Sequence, residues 1–122
     1  MANEISINMS IVVENNGGKY ERQVSFKDDM TGDAWQTGIA DITTSGVQMT
    51  ELEVGTYGWV FVKNLSTGAA YVDIQSSQND SDDSLCRIYA GESALFKTAG
   101  LTALWGDSSS GTQAVEYAII EL

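Results

Sequence analysis

The stretch Ile5-Ser6-Ile7-Asn8-Met9-Ser10-Ile11 alternates apolar and polar side chains without a break. Period two belongs to a strand with one apolar face, and it sets the expectation for the whole chain. Asn15-Asn16-Gly17-Gly18 follows, a cluster that supplies the positive-φ positions a hairpin turn needs. Lys19 to Phe26 reads as the returning strand, with Tyr20, Val24 and Phe26 on one side and Glu21 and Ser25 on the other. Arg22 interrupts the apolar side and marks a strand edge or an outward twist.

Working outward, Ala34-Trp35-Gln36 tolerates one helical turn before Gly38 and Thr43-Thr44 discourage a longer one. Val47 to Val54 alternates again, with a slip after Met49. Trp59-Val60-Phe61-Val62 is a continuous run of β-formers and predicts a central strand buried on both faces. Further strands are expected over Ala69 to Ile74, Leu85 to Tyr89, Ser93 to Thr98, Leu101 to Trp105 and Ala114 to Leu122. Turn clusters rich in Gly, Ser, Asn and Asp separate them. No segment sustains a helical period, and no internal repeat suggests a propeller or solenoid. The fold class is therefore all-β: residues 1–122 as a single-domain two-sheet sandwich, jelly-roll or Greek-key in connection. Its expected core is Ile7, Ile11, Val24, Phe26, Val60, Val62, Val72, Ile74, Ile88, Phe96, Leu104, Val115, Tyr117 and Ile119.

Composition agrees. Val, Ile and Thr far outnumber Leu, and an apolar fraction of 43% in so Gly- and Ser-rich a chain argues for packed strands and many turns. A length of 122 residues suits one domain with a real core. No apolar run approaches the roughly 18 residues of a membrane helix, and the start lacks the basic and apolar regions of a secretory signal. A net charge of −11 repels phosphate backbones and anionic lipid surfaces, so neither nucleic acid nor a membrane is an expected partner.

The residue inventory argues against familiar catalysis. The chain has no His and a single Cys, Cys86, which removes disulfides, Cys-based zinc sites and the commonest general base. No Ser-x-x-Lys spacing offers a serine nucleophile a lysine base. Cys86, between Leu85 and Ile88, reads as a small buried hydrophobe. Gly17-Gly18 precedes a strand and not a helix, so it is no phosphate loop. Asn79-Asp80-Ser81-Asp82-Asp83 could offer oxygen ligands to Ca²⁺, but it lacks the glycine and distal Glu of an EF-hand loop, and it reads first as a solvated loop. No catalytic residue, metal or cofactor is expected. Among the aromatic residues, Trp59 is assigned to the core, whereas Trp35 and Trp105, beside glycines and polar residues, are candidates for exposure at a site or interface.

Three elements carry a resemblance. Asn64-Leu65 opens a strand-and-loop order that continues through Arg87-Ile88-Tyr89-Ala90-Gly91-Glu92-Ser93-Ala94-Leu95-Phe96. It then runs from Leu104-Trp105-Gly106-Asp107 to Val115-Glu116-Tyr117-Ala118-Ile119-Ile120-Glu121. Over about residues 58 to 122 this resembles the small β-sandwich virion proteins of tailed bacteriophages. The resemblance implies a non-enzymatic structural role as a capsid decoration (cement) protein. It would be made in the host cytoplasm and bound as a homotrimer to the major capsid protein on the outer surface of the head. A fibre or neck component is the second implication. The rival classes are a carbohydrate- or receptor-binding module, with an exposed aromatic row, and an enzyme, with a cleft of perturbed carboxylates. Expected partner contacts are Ile5 and Ile7, if the N-terminal strand augments an edge of the shell, and Trp105 as an aromatic anchor. In the simpler alternative the N-terminal strand completes its own sandwich.

Overall fold

The computed structural model describes residues 4–30, 32–49 and 54–121. The chain divides after Thr31 into two compact units, each described by itself. The first is a hairpin of β1 (Ile5–Asn15) and β2 (Gly18–Asp28), paired in unbroken antiparallel register from Ile5↔Asp28 to Asn15↔Gly18. Asn16 and Gly17 close it with φ values of 50° and 81°. Both angles are positive, as a two-residue type I′ turn requires, and Asn-Gly is the pair that adopts them most readily.

The register sorts the hairpin's side chains. Ile7 lies opposite Phe26, Met9 opposite Val24, Ile11 opposite Arg22 and Val13 opposite Tyr20, all on one face. The other face is polar apart from Val12, and Ser25 Oγ donates to Asn8 Oδ1 across it at 2.7 Å. Arg22 thus lies within β2 on the apolar face, not at a strand edge. Ile11, Val24 and Phe26, expected in the core, are exposed, Ile11 by 54%. Period two identifies which side chains share a face but says nothing of what covers it.

The second unit is a sandwich of two four-stranded sheets. Its strands are β3 (Trp35–Ile42), β4 (Val47–Gln48), β5 (Tyr57–Asn64), β6 (Tyr71–Gln75), β7 (Ser84–Tyr89), β8 (Ser93–Lys97), β9 (Trp105–Ser108) and β10 (Gln113–Glu121). One sheet runs β3-β10-β5-β8 and the other β4-β9-β6-β7. The pairings nest: β6 with β7, β5 with β8, β4 with β9 and β3 with β10. One long folded hairpin is thereby wrapped into two sheets, which is the jelly-roll connection.

Ile42, Met49, Tyr57, Val60, Val62, Val72, Ile74, Ile88, Leu104, Val115, Tyr117 and Ile119 fill the space between the sheets, with Phe96 packed at its margin. Strand β5 splits its apolar run: Val60 and Val62 join this cluster, whereas Trp59 and Phe61 alternate onto the outward face, where Trp59 is still buried, as expected, and Phe61 is half-buried. Gly38 faces Tyr117 across β3 and β10, and a Cβ there would come 2.7 Å from Tyr117 Oη. Overpacking of this kind costs about 1–3 kcal/mol, so Gly38→Val is expected to lower the denaturant midpoint with the unfolding slope unchanged.

Two expectations are corrected. Trp35 and Gln36 begin a strand, not a helical turn, because β10 templates them through Trp35↔Ile120 and Gln36↔Ile119. Glu121 Oε2 also accepts from the N–H groups of Asp33 and Ala34, at 3.0 and 3.1 Å, and holds the approach to β3. Ser81–Asp83 forms the one helical turn among the described residues, a single 3₁₀ turn. The alternation expected from Val47 to Val54 gives a strand only at Val47–Gln48, and Thr50 to Glu53 lie outside the described residues.

Candidate interaction surfaces

The hairpin offers the first surface. Towards its turn the apolar face carries Met9, Ile11, Val13, Tyr20 and Val24, all exposed, with Arg22 among them. Lys19, Arg22 and Lys27 balance Glu14, Glu21 and Asp28 between residues 5 and 28, so the net −11 of the chain resides outside these strands. A two-stranded ribbon with one bare apolar face is marginally stable in water, and large exposed patches mark interaction sites. Ile5 and Ile7, expected as partner contacts, are buried, and the exposed apolar residues of β1 begin at Met9.

The outward face of the β3-β10-β5-β8 sheet is the second. On edge strand β3, Trp35 and Ile39 are 63% and 66% exposed. Half-buried Ala118 and Ile120 lie beside them on β10. Two acids border this apolar strip: Glu116, directly opposite Ile39, and Asp41, two residues further along β3. Trp35 was legible as a candidate from its polar and glycine-containing surroundings. Ile39 was hidden because nothing local says that β3 is an edge.

The third surface is the outward face of the other sheet. Arg87 reaches Asp73 through two bonds, Nε to Oδ1 at 2.7 Å and the terminal nitrogen to Oδ2 at 3.0 Å. Its guanidinium lies 3.8 Å from the centre of the Tyr71 ring, which meets Tyr89 edge-on at 5.4 Å. Trp105, the expected aromatic anchor, is half-buried on β9 of this sheet, two residues before Asp107.

Asp107 pairs with Asp73 across β9 and β6. Its Oδ1 is buried without a hydrogen-bond partner. Burial first, and the Asp73 charge second, push the Asp107 carboxyl above its ordinary range. A carboxylate raised in the folded state costs stability as pH rises through its folded value, and that cost vanishes below the unfolded value, where both states are protonated. Asp107→Asn is therefore expected to raise the melting temperature at pH 7. The gain should shrink as pH falls into the carboxylate range, which paired melting curves across pH would record.

Burial first, and Asp73 second, push the Cys86 thiol up, which favours its protonated form. In the Asn79 to Asp83 loop, Asp80 Oδ1 accepts from Asp82 N at 3.0 Å and Asp83 Oδ2 from Ser77 Oγ at 2.7 Å. These carboxylates hold the turn, as Asx capping does elsewhere. Among the described residues no group of three or more His, Cys, Asp or Glu is placed to hold a metal ion. No family model, curated protein or solved structure matches this chain.

Proposed function

We propose that the protein acts by binding, as a non-enzymatic decoration protein on the outer surface of a phage head, homotrimeric and attached to the major capsid protein. The observation that carries this reading is the hairpin: a neutral arm with an exposed apolar face on an otherwise acidic chain. Exposed apolar faces of this size mark interaction surfaces, which supports a role in assembly. The resemblance of residues 58 to 122 to phage virion proteins supplies the particular assembly. Jelly rolls also recur in viral capsid domains, although a fold alone does not settle a function. An acidic exterior suits the outside of a head better than the side facing packaged DNA. Attachment then rests on apolar and backbone contacts, with Trp105 as a candidate anchor.

One observation favours a second reading. Tyr71, Tyr89 and Trp105 share an outward face with Arg87 and Asp73, an arrangement in which sugars can stack and hydrogen-bond, and lectin domains also use jelly rolls. Co-sedimentation with empty heads separates the two. A decoration protein pellets with the heads to a saturating ratio, and Trp105→Ala weakens it. A protein that stays in the supernatant and binds a glycan array is a receptor-binding module.

A further inference from the structure

We infer that the hairpin arm of one copy docks on the outward face of the β3-β10-β5-β8 sheet of a second copy, so that the oligomer is built by arm exchange. Met9, Ile11, Val13, Tyr20 and Val24 of the arm would lie against Trp35 and Ile39 of the neighbour. The inference deepens the homo-oligomer part of the proposed function and does not depend on the capsid.

Complementarity selects a second copy as the occupant. Among the described residues, the arm and the β3 edge strip carry most of the exposed large apolar side chains, and joining them covers both at once. The charges agree. Arg22 stands within the arm's apolar face, opposite Ile11, and Glu116 stands beside Ile39 with Asp41 next along the strand. A cation set in an apolar face meets an apolar strip bordered by Asp41 and by Glu116. Glu116 also lies opposite Lys63 on β5, so that Asp41 supplies the less compensated charge and helps to set the register. The neutral arm also approaches an acidic neighbour without the repulsion that two acidic surfaces would meet.

Arm-to-arm packing fits less well. It would set Arg22 near its own symmetry mate and leave Trp35 and Ile39 in water. Arm-to-sheet contact is heterologous: each copy gives an arm and receives one, and such contacts close into a ring when the rotation permits. A trimer is one such ring.

Two charge insertions test this in the purified protein with no shell present. Ile11→Glu removes the arm's apolar centre and Ile39→Glu spoils the receiving strip. Both positions are exposed, and far-UV circular dichroism should match the parent. Sedimentation velocity is expected to show the parent at a multiple of the 13.1 kDa chain and each variant alone as single chains. An equal mixture of the two variants should recover pairs, because the intact arm of the Ile39→Glu chain meets the intact sheet of the Ile11→Glu chain. The pair Arg22→Glu with Glu116→Arg in one chain should likewise assemble where each alone does not. The inference is overturned if the parent is a single chain at high concentration, if Ile39→Glu assembles like the parent, or if the mixture stays monomeric. A parent that is monomeric yet still pellets with heads would overturn arm exchange and leave decoration standing.

Discussion

Ile119→Asp is expected to unfold the jelly roll outright. Ile119 is fully buried in β10, the strand between β3 and β5, paired with Gln36 on one side and Val60 on the other. The change removes a core side chain, a loss of about 2–5 kcal/mol, and places a carboxylate with no cation among Val60, Val62 and their neighbours, at several kcal/mol more. Together these approach or exceed the roughly 5–15 kcal/mol that holds an ordinary domain folded. Val62→Asp should behave alike, since Val62 pairs with Tyr117 on β10 and Ala94 on β8 and is also fully buried. Far-UV circular dichroism of either variant should lose the strand signal at 25 °C. A variant that melted at the parental temperature would show that the inward face of this sheet had been misassigned.

The second large effect is expected at Asn64, a fully buried polar residue at the end of β5. Its Nδ2 donates to Ile88 O at 3.3 Å, and its Oδ1 accepts from Ser66 N at 3.0 Å. Its backbone binds the turn between β7 and β8, donating to Glu92 O at 3.0 Å and accepting from Gly91 N at 2.8 Å. Glu92 Oε1 in turn accepts from Tyr89 N at 2.8 Å, and Gly91 takes φ of 80°, which a side chain would resist. Asn64→Leu keeps the branched shape, adds methyl bulk, and removes the side-chain partners of Ile88 O and Ser66 N. At about 1–3 kcal/mol for each group left unsatisfied, the loss is about 2–6 kcal/mol. Thermal melting should fall by on the order of 10 °C. A shift within about 2 °C would mean that water or backbone adjustment satisfies both groups.

Asn64 also shows where reading the chain as text succeeds. Asn64-Leu65 and Gly91-Glu92-Ser93 stood out as turn grammar, and they prove to be the two sides of one hydrogen-bonded joint. What the text could not give was their proximity, because strands far apart in sequence carry no local mark of pairing. The same holds for the jelly-roll order. Alternation marked most strands of the second unit, but the pairing of Ile42 with Gln113 is set by the whole nested arrangement. Local signals served well where local physics decides. Asn16-Gly17 at the hairpin turn and the inward Val60 and Val62 are such places. They failed at Trp35, where pairing with β10 overrides a tolerance for helix.

The interaction surfaces divide in the same way. The apolar face of the hairpin was visible as Met9, Ile11, Tyr20 and Val24 at period two, yet Ile11 and Val24 were expected in the core. Exposure depends on how many layers stack over a face, and no run of side chains encodes that number. Ile5 and Ile7 lie on the same face and are buried, and the exposed apolar residues of β1 begin at Met9. Trp105 stands among polar residues in the sequence, and it sits beside the Asp107 and Asp73 pair that gives its face a chemical character.

We propose that this chain works as a surface-bound assembly unit. A cryo-electron microscopy map of the parent particle tests it most directly. The predicted result is density on the outer face of the head into which the eight-stranded jelly roll fits, in symmetric rings whose hairpin arms cross the Trp35 and Ile39 strip of the neighbouring copy. Heads bare of that density, with the jelly roll found instead as single copies at the tip of a tail fibre, would contradict it.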